Sequence, residues 1–212
     1  VNKAKATQLS FFGRFSYTYA KKYFFTFNVR ADGSSKFNEN SRWGYFPSAS
    51  FAWRMKNEKF LKDVNWISDL KFRTGFGTVG NNRINDYLYL TTFSSNQLQY
   101  TFNNVVVPAY NSTSLVNEKL QWESLVNSNF GLDISLFRNK VDLTVDYYVN
   151  SSKDLLLNVP VASTYGYASQ LQNIGKSENK GWEFEIGHQN TIGKFHYHIN
   201  GNFSIIDNKV LT

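Results

Sequence analysis

The chain alternates apolar and polar residues over long stretches. In residues 141–149, Val141, Leu143, Val145, Tyr147 and Val149 take every second position, with Asp142, Thr144 and Asp146 between them. Successive side chains on a β-strand project to opposite faces, so this segment predicts a strand with one apolar and one wet side. Seven further segments repeat the pattern: 8–19, 23–32, 45–55, 69–79, 122–136, 181–189 and 195–205. Strand 122–136 sets Val126, Phe130 and Leu132 against Asn127, Asn129 and Asp133. Strand 181–189 sets Trp182, Phe184 and Ile186 against Glu183 and Glu185, and strand 195–205 sets Phe195, Tyr197 and Ile199 against His196 and His198. Pro47 lacks an N–H, so the start of its strand should be an edge or a bulge.

The connections differ in length. Residues 20–22, 137–140 and 190–193 read as tight turns, and 33–40 as a turn-rich segment. Residues 80–120 and 151–179 read as long polar loops. Between them, 57–63 breaks the two-residue period; Asn57 suits an N-cap and Glu58 a first helical turn, which predicts one short helix. Short connections at one end and long ones at the other are the rhythm of an up-and-down membrane barrel. The expected fold class is therefore all-β: an antiparallel up-and-down transmembrane β-barrel segment of about eight strands, with a short helix near 57–63.

Composition narrows this further. Of 212 residues 42% are hydrophobic, yet no run approaches the length a membrane-crossing helix needs, whereas a barrel strand needs only about 9–11 residues, half of them apolar. Aromatic residues make up 17% of the chain, and Tyr and Trp favour sites with one dry and one wet side. Without cysteine there is no disulfide and no thiolate metal site. The net charge of +7 is scattered: Lys21, Lys22, Arg138, Lys140 and Lys194 fall at turns, and Arg30, Arg54, Lys71 and Arg73 within strands. No basic stripe forms, which argues against a nucleic-acid partner.

Several motifs invite chemistry. Gly75-Phe-Gly-Thr-Val-Gly80 matches the dinucleotide fingerprint and follows a strand, but residues 81–86 open no amphipathic helix to receive a pyrophosphate. Gly75 and Gly77 instead suit a bend or a close backbone approach. His196 and His198 share a face but have no evident third ligand, and His188 falls on the opposite, apolar face. The pairs Glu183/Glu185 and Asp142/Asp146 could serve acid–base work, yet they belong to a periodic wet face. No nucleophile–base pair, metal site or cofactor site emerges, so no enzyme is expected.

A set of motifs in order along the chain resembles the SusC/RagA family of TonB-dependent outer-membrane transporters. They are the segments at 30–37 (RADGSSKF), 42–50 (RWGYFPSAS), 58–63 (EKFLKD) and 70–73 (LKFR) with Gly80-Asn81. Further on come 120–123 (LQWE) with 131–133 (GLD), 146–148 (DYY) with 153–157 (KDLLL), and 173–181 (NIGKSENKG). The resemblance implies a 22-stranded barrel of which residues 1–212 are a partial barrel domain from the C-terminal half, in a multi-pass protein of the bacterial outer membrane. It implies an N-terminal plug and a TonB-engaging segment outside this chain. It also implies a SusD-like surface lipoprotein as partner, and import of oligosaccharides or peptides. The chain opens Val1-Asn-Lys-Ala and closes Lys209-Val-Leu-Thr212 just after a strand, and is read as part of a longer protein.

On that reading Asn127, Asn129, Asp133, Asp142, Asp146, Glu183, Glu185, His196 and His198 face the lumen. The apolar face meets outer-membrane lipid. Tyr87, Tyr89, Tyr100, Phe102, Tyr110, Tyr165 and Tyr167 are the substrate-facing loop candidates; they suit either stacking on sugar rings or packing the loops together. A second reading, a secreted all-β carbohydrate-binding or adhesion module, requires the apolar residues to be buried between stacked sheets and the polar ones to face bulk solvent.

Overall fold

A computed structural model of the chain describes residues 5–94, 99–112 and 114–211, with the side chains of residues 99 and 100 outside that description. Its main feature is one antiparallel sheet of eight strands. These are β1 (Gln8–Tyr19), β2 (Tyr23–Ser34), β3 (Trp43–Arg54), β4 (Ile67–Asn81), β9 (Glu123–Leu136), β10 (Val141–Pro160), β11 (Ser169–Ile192) and β12 (Phe195–Leu211), each beside its predecessor. Between β4 and β9, β5 (Phe93–Ser94) pairs with β8 (Asn111–Ser112), and β6 (Gln99–Phe102) with β7 (Val105–Pro108). These pairs are too small to cover a face of the main sheet.

The alternation survives intact across the sheet. One cross-strand row starts at Tyr19, the last residue of β1, and passes through Tyr23, Trp53, Phe72, Leu132, Val145 and Phe184. It ends at Phe203, well inside β12. The row therefore climbs away from the short turns as it crosses the sheet, the stagger that tilted strands need to curl into a barrel. Because one apolar residue sits opposite another, register is strongly specified: a one-residue slip would bring all of them to the wet face.

The apolar face stays open. Phe11, Phe15, Phe25, Phe27, Phe130, Phe203 and Ile205 are all exposed. Stacked rings such as Phe184 and Phe203, with centroids 6.4 Å apart, tile the surface without being covered. A sandwich would bury these side chains, and this sheet does not. Both β1 and β12 pair on one side only, leaving two long open edges that sheets in water normally shield.

Two expectations need correction. The loop predicted over 151–179 is mostly strand: β10 runs to Pro160 and β11 starts at Ser169, so only 161–168 connect them. In this outer hairpin the consecutive Leu155, Leu156 and Leu157 put apolar side chains on both faces, and Leu156 and Leu171 pack on a buried core, so the two-residue period is lost although the backbone ladder continues. The ladder is offset by a bulge near Asp154, whose φ is +57°, between the pairs Ser152–Ser177 and Leu156–Asn173. Residues 57–63 form no α-helix but part of two 3₁₀ turns, Met55–Asn57 and Lys59–Leu61. Asn57 donates to the Lys21 carbonyl (2.9 Å) instead of capping a helix. Pro47 lies inside the sheet, where the β3–β4 ladder ends at Ser48–Gly77 and its carbonyl accepts from Thr78 Oγ1 (3.1 Å).

Glu58 ties this short-turn end together. Its carboxylate accepts from Lys22 Nζ (2.8 Å), Tyr23 Oη (2.6 Å) and Trp53 Nε1 (3.2 Å). The Lys22 ammonium first, then the Tyr23 hydroxyl, hold its pKa down to about 2. A depressed acid stabilises the fold above its ordinary value and loses that contribution as pH falls through the folded one. The Trp53 part of the fluorescence, isolated by difference from Trp53→Phe, is expected to titrate near pH 2. With Glu58→Gln that transition should vanish.

The small buried core lies at the opposite, long-loop end. It consists of Phe37, Phe46, Leu120 and Trp122, with Ile84, Leu88, Leu156 and Leu171 packed against it. Trp122 meets Phe37 at 5.2 Å and Phe46 edge-on at 5.5 Å, and its indole N–H donates to the Arg42 carbonyl (3.1 Å). The Phe46 ring lies so close over Gly44 and Gly80 that a Cβ at either position would collide with it. The close approach expected at Gly75 and Gly77 is sharpest at Gly80, and the whole glycine run lies in or beside a strand of the sheet, with no helix behind it.

Candidate functional site

The polar face of the sheet is organised in rows. The row at mid-strand is Arg14, Asn28, Ser48, Gly77, Asn127, Asn150, Asn179 and Asn208, one residue from each strand. Its amides bond sideways: Arg14 Nε to Asn28 Oδ1 (2.7 Å), Asn28 Nδ2 to Ser48 Oγ (3.0 Å), and Asn127 to Asn150. Amides both donate and accept, so such a belt can offer hydrogen bonds of either sense to a polar solute.

Nearer the short turns the wall is charged. Arg73 spans two carboxylates, Asp133 (2.7 Å) and Asp146 (3.1 Å), while Lys71 adds to Asp133 (3.0 Å) and Arg54 reaches Asp69 (3.6 Å). Gly131 lies between Arg73 and Asp146 in the register, and a Cβ there would strike both side chains. The missing side chain lets the guanidinium cross a strand. Asn129 Nδ2 also reaches Asp146 (3.4 Å), and Ser135 Oγ donates to Asp142 (2.6 Å).

The predicted polar set thus shares one face. Glu183 lies beside Asp146, Glu185 beside Thr144, and both line a concavity of about 390 Å³. His196 bonds Thr191 (2.7 Å) and His198 pairs with Gln189 near the short turns. Their neighbour His188 is on the other face, its ring 5.4 Å from Tyr197. Among the described residues no group of three metal-ligating side chains converges. The alternation identifies the face and sets Arg54, Lys71 and Arg73 within strands, but it does not give their pairing with Asp69, Asp133 and Asp146.

The described loop aromatics differ in their surroundings. Phe102, Tyr110 and Tyr165 are exposed, Tyr89 is half-buried, and Tyr87 donates its hydroxyl to the Lys5 carbonyl (2.9 Å). Tyr167 lines a concavity of about 660 Å³ at the long-loop end with Leu88, Asn117 and Leu171. The side chain of Tyr100 lies outside the described residues. Residues 116–123 run beside the outer hairpin of β10 and β11, tied by Asn173, which exchanges bonds with Gln121 (3.0 and 2.9 Å) and reaches the Asp154 carbonyl (2.8 Å).

Residues 1–211 match the family model "TonB dependent receptor-like, beta-barrel". The chain belongs to this family. A TonB-dependent receptor of Formosa agariphila, P3, is 42% identical over 96% of the chain, and SusC of Bacteroides thetaiotaomicron is 40% identical over 89%. Among solved structures, the RagAB peptide importer in its open-open state superposes with a TM-score of 0.88 at 31% identity, over 99% of the chain and 22% of that chain. The siderophore receptor PirA of Pseudomonas aeruginosa, at 15% identity and a TM-score of 0.58, shares the fold. The chain spans about a fifth of the length of the receptors it matches, 20% for P3 and 19% for SusC. This TonB-dependent receptor segment is SusC/RagA-like and an outer-membrane protein, and its eight strands are an arc of a transmembrane barrel.

Proposed function

We propose that residues 1–212 are a partial barrel domain of an outer-membrane importer, supplying barrel wall and extracellular loops, with plug and TonB-engaging segment elsewhere in a longer protein. The cargo is an oligosaccharide or a peptide. A SusD-like surface lipoprotein caps the long-loop end, the TonB complex supplies the energy, and lipid surrounds the apolar face. The polar rows face the lumen. Asn127, Asn129, Asp133, Asp142, Asp146, Glu183, Glu185, His196 and His198 belong to that lining, and Tyr167 is the loop aromatic best placed to meet cargo.

The observation that carries this reading is the two-faced register: a row of apolar residues on one face and a row of polar residues, broken only by Gly77, on the other, each crossing all eight strands. A wall between hydrocarbon and water needs that arrangement, and a catalytic domain does not. The likeness to SusC and to the RagAB peptide importer supports import over adhesion. The test is uptake of labelled oligosaccharides and peptides by cells with and without the full-length receptor, in the presence and absence of an inner-membrane proton gradient. Receptor-dependent, gradient-dependent accumulation of either cargo class is expected. Equal accumulation in cells lacking the receptor would refute the reading.

A further inference from the structure

Next to the Asn row, on its long-loop side, the wet face changes character. Phe12 stands opposite Arg30, and Arg30 opposite Phe46. Phe12 is 86% exposed although it faces away from the apolar side of β1, and Val79 on the same face is 63% exposed. A phenyl ring on a polar wall is out of pattern and needs a reason. Charge is out of pattern too. Among the other wet-face cations, Arg30, Arg54, Lys71 and Arg73 each have a carboxylate within salt-bridge distance. Arg14, two residues from Phe12, bonds only the amide oxygen of Asn28 among the described residues. Phe12, Arg14, Asn28 and Arg30 line one concavity of about 730 Å³, within the range of small-molecule sites.

We infer that this concavity is a cargo subsite selective for anionic oligosaccharides, those bearing carboxylate or sulfate groups. Arg14 donates its Nε–H to Asn28 and has no carboxylate partner among the described residues, so its two Nη groups can meet an oxyanion in bidentate geometry. Phe12 offers a ring face to the C–H side of a sugar, and Asn28 and Ser48 offer the paired donors and acceptors that vicinal hydroxyls need. The amides farther along the same row, Asn127, Asn150, Asn179 and Asn208, favour a hydroxyl-rich chain over a peptide. The inference rests on the import reading and sharpens its cargo class.

The test uses the full-length receptor with its lipoprotein partner, titrated calorimetrically with three length-matched probes: neutral gluco-oligosaccharides, mixed uronic-acid oligosaccharides and an oligoglutamate peptide. The uronic-acid pool is expected to bind at least about tenfold more tightly than the neutral one, the order expected for one charge-assisted contact, and to weaken as salt rises. Arg14→Gln should abolish that preference, Arg14→Lys retain part of it, and Phe12→Ala weaken both sugar pools. Equal binding of the neutral pool, absence of uronic-acid binding, indifference to Arg14→Gln, or equal competition by oligoglutamate would each overturn the assignment. Uptake of neutral sugars that persists in such a case leaves import standing and removes only this subsite. Loss of all receptor-dependent uptake strikes the import reading instead.

Discussion

Replacing Trp122 with alanine is expected to cost about 3–5 kcal/mol, the range for truncating a large buried aromatic. Trp122 joins elements far apart in sequence. It contacts Phe37 after β2 and Phe46 in β3, and it donates to the carbonyl of Arg42. Removing the indole leaves that carbonyl without this donor and a void beneath Leu120. The loss should be local as well as global. Within residues 82–121, Ile84, Leu88 and Leu120 sit in or against this core, beside the hydrogen bonds of Asn117 and Gln121 to β11. In Trp122→Ala, limited proteolysis of the receptor in vesicles should therefore cut first within 82–121, while β9 to β12 remain protected. A variant that resists cleavage there as well as the wild type does would mean that other contacts hold the segment.

The second large effect separates the two faces. Val145→Arg places a cation midway along the apolar side of β10, opposite Leu132 and Phe184. For a lipid-facing position near the bilayer midplane the cost is about 2–4 kcal/mol. Thr144→Arg, one residue earlier, enters the wet face beside Asp133 and Glu185, which attract it. Its expected effect is within about 0.5 kcal/mol. Folding titrations in lipid vesicles with urea should show a shifted midpoint for the first variant and little change for the second. Equal penalties at both positions would mean that neither face is in hydrocarbon.

How much of this was legible beforehand follows from where water lies. Within the membrane band every strand has one dry side, so Tyr19, Tyr23, Leu136, Val141 and Phe195 at the tight turns marked strand ends that the structure reproduces. Beyond the band that division ends: Leu156 and Leu171 turn to the buried core, while Leu157 and Ile174 are exposed. Ser151 to Pro160 and Ser169 to Lys180 thus lost their period while keeping their ladder, and read as loop. The 55–61 turns read as helix because Asn57 and Glu58 are good helix starters. Their side chains are drawn instead to Lys21 and to the cluster of Lys22, Tyr23 and Trp53. Phe37 stood in a stretch rich in turn residues, and only the register of distant strands reveals that its ring is fully buried against Trp122. For the wall itself, alternation fixes which face a residue takes but not which neighbour it meets. Asp133 and Asp146 were therefore readable as wet-face carboxylates, whereas their bridging by Arg73, 60 and 73 positions away, was not.

The most direct test uses the absence of cysteine from the chain, which makes each introduced thiol within it a unique reporter. Single cysteines are placed one at a time from Val141 to Val149 in the full-length receptor, reconstituted in vesicles, and exposed to a charged, water-soluble maleimide. Two-faced wall geometry predicts a period of two. Thiols at 142, 144, 146 and 148 should label, and those at 143, 145, 147 and 149 should be protected until detergent or a lipid-soluble maleimide is added. Uniform labelling along β10, or protection of the even positions with labelling of the odd ones, would contradict the account.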